Sequence, residues 1–148
     1  VNETSSRNEP EIIIEPPGVG LGDEIERRLR TELGSCPDVA FAHLSRVLVV
    51  GRQEPPQLSL FVWLVPEAVA SLRAALNLVS EAVARALPEA VFLDVLILNS
   101  APELLASVED AGRLLVERDA DERRRALAAA DREQDSDPIP SRGGLWPF

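Results

Sequence analysis

The chain has 148 residues, 45% of them hydrophobic, and a formal charge of -10 from 25 acidic against 15 basic residues. That length suits one domain around a single core, and no apolar run approaches the roughly 18 residues of a membrane span. The acidic balance repels a phosphate backbone, which argues against autonomous nucleic-acid binding and favours a basic protein partner.

Residue usage narrows the chemistry further. Every basic residue is arginine, so a P-loop lysine, a Schiff base and a lysine general base are all excluded. The single Cys36 and single His43 supply neither an internal disulfide nor a ligand cluster of transition-metal spacing. The opening VNETSSRNEP lacks the basic and apolar regions of a signal peptide, which makes the cytoplasm the expected location.

Residues 1–20 read as a flexible arm in which Ile12-Ile13-Ile14 forms a short edge strand stopped by Pro16-Pro17. Asp23 caps a predicted helix whose apolar stripe is Ile25, Leu29 and Leu33, ending at Gly34, with Glu24, Glu26, Arg27, Arg28, Arg30 and Glu32 on the wet side. Val39 to Val50 and Leu58 to Val65, joined through Gly51–Pro56, predict an antiparallel hairpin. A helix opening at Glu67 follows, with Val69, Leu72, Leu76, Val79, Val83 and Leu87 on one stripe and Pro88 as its stop.

Leu93 to Leu98 reads as a buried strand carrying one carboxylate, Asp94, which must find a partner or solvent because an unpaired buried charge is prohibitively costly. Pro102 starts a short helix to about Asp110, Gly112 breaks it, and Arg113 to Val116 predicts an edge strand. From Asp119 the composition is helical, with acid-first pairs Asp119/Arg123 and Asp121/Arg125 at spacing four and Arg123-Arg124-Arg125 on a solvated, ion-paired face. The domain therefore spans 21–118, a C-terminal helix 119–134, and a flexible tail 135–148. In that tail Leu145, Trp146 and Phe148 are the candidate partner-binding residues, Trp146 as anchor.

DVLILNSAP from Asp94 and AGRLLVERD from Ala111 resemble, in order and spacing, the strand V-D-L-V-V-L-N-x-A-P and the ending G-R-L-L-Y-E-R-D of the minimal nucleotidyltransferase domain. That domain is a small relative of DNA polymerase β, and the resemblance covers residues 21–125. It implies an α+β fold, a mixed sheet flanked by helices. It also implies a site built from a Gly-Ser turn, a D-x-D pair and a third aspartate, which together hold magnesium and a nucleotide triphosphate.

This chain departs from that pattern. Arg46 and Val47 stand at the Gly-Ser pair; Gln57 and Ser59, or in the other register Leu58 and Leu60, stand at D-x-D; Asp94 alone corresponds to an aspartate. One carboxylate does not replace three around two divalent ions. The site is expected to be vestigial, with Asp94 held by Arg46 or a backbone donor, and no metal or cofactor is expected. The resemblance implies a partner of the kind minimal nucleotidyltransferases neutralise, a small helical HEPN ribonuclease toxin, in an antitoxin-type role without catalysis; self-association is the other form such binding takes. The alternative is an atypical adenylyltransferase using Mg and ATP, in which Asp94 works with Glu54 or another loop acid. A third reading, from the initial valine and the two tails, is a domain clipped from a larger protein.

Overall fold

The computed structural model describes residues 11–136. The predicted hairpin forms the middle of the sheet: β2 (Val39–Val49) pairs antiparallel with β3 (Gln57–Leu64), and Gly51 at φ 92° turns the chain between them. The β-branched and aromatic residues of both strands drive this pairing. Alternation sends Ala42, Leu44, Leu60 and Val62 to one face and Phe41 and Phe61 to the other, so the hairpin is core on both sides.

Each face then acquires its helices. On the first lie α1 (Asp23–Gly34) and α3 (Leu72–Ala86), which bury Leu29, Leu33, Val79 and Val83. On the second, α4 (Leu105–Ala111) and α5 (Ala120–Ser136) bury Leu105, Val108 and Ala126. Helix α3 is the crossover that lets β4 (Asp94–Ile97) lie parallel to β3. β1 (Ile12–Glu15) and β5 (Arg113–Glu117) both pair antiparallel with β2, along successive stretches of it. The result is a five-stranded mixed sheet, β1-β2-β3-β4 with β5 also on β2, flanked by helices. No described helix is long and apolar enough to cross a membrane.

Several expectations are corrected. Ile12–Glu15 belongs to the sheet, so the folded part begins before residue 21. Asp23 is the first helical residue, and the cap is Gly22 at φ 95° with no side-chain hydrogen bond. Glu26 is buried, not on the wet side.

The single helix expected from Glu67 is two: α2 (Pro66–Val69) breaks at Ala70-Ser71 before α3. The apolar stripe is also wider than the buried face. Ala75, Ala82 and Ala86 pack inward, while Leu72 and Leu76 remain 38% and 37% exposed. Small side chains win the inward positions because helices approach closely only where the facing residues are small. Finally, the run from Leu93 to Leu98 is not a buried strand. Only Asp94–Ile97 is strand, at the sheet edge, with Asp94 and Leu96 exposed.

Candidate functional site

Strand register brings two of the positions that the resemblance singles out, Ser59 and Asp94, into one row, with Ser45 at its other end. Ser45 of β2 stands opposite Ser59 of β3, which stands opposite Asp94 of β4, and residues directly opposed across strands project from the same face. The row holds one carboxylate and two hydroxyls, with Ser45 and Ser59 buried.

Arg46 cannot serve Asp94. One residue along from Ser45, its side chain leaves the opposite face, and its Nε donates to the carbonyl of Pro16 at 3.1 Å. Asp94 is exposed, and among the described residues no ion pair reaches it. The expected acceptor role is replaced by simple solvation, which removes the desolvation penalty that had demanded a partner.

No phosphate-cradling turn exists at the Gly-Ser position. Val47 sits inside β2, paired with Ile14 on one side and Gln57 on the other, so the backbone there is extended ladder and not a turn. Gln57 is exposed and donates from Nε2 to the carbonyl of Pro55 at 3.3 Å. Glu54 lies in the hairpin connection beside Arg52. Among the described residues no three of His, Cys, Asp and Glu gather to hold a metal ion, and a row with one carboxylate does not fit two magnesium ions.

The densest polar chemistry lies elsewhere on the same face. His43 is buried, with Nε2 3.3 Å from Oε2 of Glu109. Glu109 also accepts two hydrogen bonds from Arg123, Nε at 2.9 Å and Nη2 at 2.7 Å, while Nη1 of Arg123 donates to Glu117 at 2.7 Å. Burial pushes the Glu109 carboxyl up, but hydrogen bonds from Arg123 and His43 and their charges outweigh it and hold the pKa at about 2. The hydrogen bond to Glu109 likewise raises Arg123.

Aromatic rings support this network. Phe41 meets His43 edge-on at 5.7 Å, stacks on Trp63 at 6.0 Å, and lies under the Arg123 guanidinium. The indole Nε1 of Trp63 donates to Glu122 at 2.9 Å. These contacts dock the first turns of α5 on its own domain. Cys36 is buried on the other face, among the residues that pack with Ala42 and Leu44, and does not meet His43.

A second network was not foreseen. Glu26 accepts Nη1 of Arg113 at 2.7 Å and 2.8 Å and the amide of Leu21 at 3.0 Å, while Nη2 of Arg113 donates to the carbonyl of Gly18 at 2.6 Å. Gly20, at φ 68°, makes room for it: a Cβ there would lie 2.3 Å from Oε2 of Glu26. The signal was visible as GVGLG before a helix, where an internal carboxylate meets the positive helix end.

Residues of the two segments that carry the resemblance have structural roles of the same kind. Gly112 leaves no room for a Cβ, which would fall 2.4 Å from Oγ of Ser45 and 2.7 Å from the carbonyl of Val108. Asn99 continues the sheet beyond β4 with its side chain, accepting from the Leu64 amide at 2.8 Å and donating to its carbonyl at 3.2 Å. Leu145, Trp146 and Phe148 lie outside the described residues. Comparison with known proteins finds no matching family model, no matching curated protein and no matching solved structure.

Proposed function

We propose that the chain is a catalytically inactive, nucleotidyltransferase-like protein that acts by binding a protein partner, in an antitoxin-type role toward a HEPN-type ribonuclease toxin. The observation that carries the reading is the pair Ser59 and Asp94: the register of β3 and β4 sets them opposite each other, but Ser59 is a buried hydroxyl and only the exposed Asp94 is a carboxylate. Metal-assisted nucleotidyl transfer needs oxygen ligands for two divalent ions and donors for the phosphates. Here Val47 lies inside the sheet between β1 and β3, in extended backbone that forms no phosphate-binding turn. A binding role needs only surface and charge, and a chain of net charge -10 suits a basic partner.

Calorimetry with ATP and magnesium, together with purification from the native host, tests the proposal. The expected result is no saturable nucleotide heat and a small helical protein that co-purifies. Micromolar ATP binding that Asp94→Asn abolishes would overturn the proposal and revive the adenylyltransferase alternative.

A further inference from the structure

β4 is a sheet edge with no described strand beyond it, and it lies beside an apolar groove. An open cavity of about 420 Å³ runs between α3 and β4, walled by Ser80, Val83, Ala84 and Leu87 on the helix side and by Leu93 and Val95 on the strand side. Phe92 stands at its mouth, 82% exposed. An unpaired strand edge next to an apolar groove offers both components of strand addition: main-chain donors and acceptors for affinity, and room for every second side chain.

Charge selects the occupant. Glu89 lines the groove, and Asp94 projects from the other face of the same strand edge. Neither carboxylate is ion-paired with a described residue, and Arg85, at this end of α3, is already held by Glu32 at 2.8 Å. A second copy would bring the same carboxylates to the same edge and another -10 of charge, which opposes self-pairing. A cationic strand reverses both effects. The faces also match the period of a strand, since Val95 looks into the groove and Asp94 away from it.

We propose that the β4 edge and its groove bind an extended basic segment of a partner protein, its apolar side chains entering beside Val83 and Val95 and its alternate, cationic side chains meeting Asp94. This rests on the binding role proposed above and names the surface that would serve it.

The probe is a labelled, end-blocked peptide of alternating arginine and valine, with its glutamate–valine counterpart as control, followed by fluorescence anisotropy on the intact chain. Ala84→Phe fills the groove and Asp94→Lys reverses the edge charge; both positions are exposed, and circular dichroism checks that each variant is folded. Saturable binding of the arginine peptide is expected, weakened by salt and reduced roughly tenfold or more by either substitution. Failure of the arginine peptide to bind, equal binding of the glutamate peptide, or indifference to Ala84→Phe overturns the assignment. So does sedimentation showing a dimer that Ala84→Phe dissociates, because the edge would then be covered by a second copy. A native partner that co-purifies equally with wild-type and Ala84→Phe protein also overturns it, while leaving the binding role itself intact.

Discussion

Along β5 and the helix ends beside it, charged groups that leave water find partners: Glu26 with Arg113, and Glu109 with Arg123 and His43. Along β4, by contrast, Asp94, Leu96 and Phe92 face solvent without a described partner. The difference separates structural polarity from available surface. Removing one member of a buried pair strands the other charge in a poor solvent, whereas an exposed edge group has little to lose. The first region is where substitution should unfold the protein, and the second is where substitution should change what it binds.

The strongest way to break this comparison is through the aromatic support of the locked side. Phe41→Ala should cost about 4 kcal/mol, since it empties a fully buried site between Trp63 and His43. Chemical denaturation measures it, and a loss below 1 kcal/mol would mean that the stack is not part of the core. Glu26→Ala comes next, at about 2 to 3 kcal/mol, reduced from the fully buried range because Arg113 is partly exposed. An unchanged denaturation midpoint would show that solvent already serves Arg113.

The Glu109 pair sharpens the contrast through pH. Its carboxyl is lowered from 4.5 to about 2 in the fold, so the pair's contribution is complete above about pH 5.5 and is lost as pH falls through 4.5 toward 2. On the order of 2 kcal/mol should disappear over that window, after allowance for the solvent that reaches the carboxylate. Glu109→Gln should flatten this part of the stability profile; an equally steep decline in the variant would assign it to other carboxylates. The smallest effect is expected at the open edge. Asp94→Asn should change stability by no more than about 0.5 kcal/mol, and a larger loss would reveal a partner for Asp94 among the residues beyond the described ones.

Much of the element order is legible in the sequence. The hairpin, the short strand at Ile12-Ile13-Ile14, the helix ending near Gly34 and the strand after Gly112 all follow from periodicity and punctuation, and all are present. The helix after the hairpin was legible as a helix but not in its facing, because Leu72 and Leu76 continue the apolar stripe while the inward positions go to Ala75, Ala82 and Ala86. Glu26 was misplaced for the converse reason. Its spacing on α1 reads as polar surface, and the charge that makes its burial tolerable comes from Arg113, 87 positions away.

By itself the sequence determined the alternation that builds a two-faced sheet, the acidic balance, and the absence of lysine chemistry, since these are properties of local pattern and composition. Tertiary structure alone decided that Asp94 lies on an open edge, that His43 and Glu109 meet, and that the first turns of α5 lie against Phe41 and Trp63. Burial and ion pairing depend on which distant segments share a face, and that follows from strand order and register, which no local window of sequence encodes.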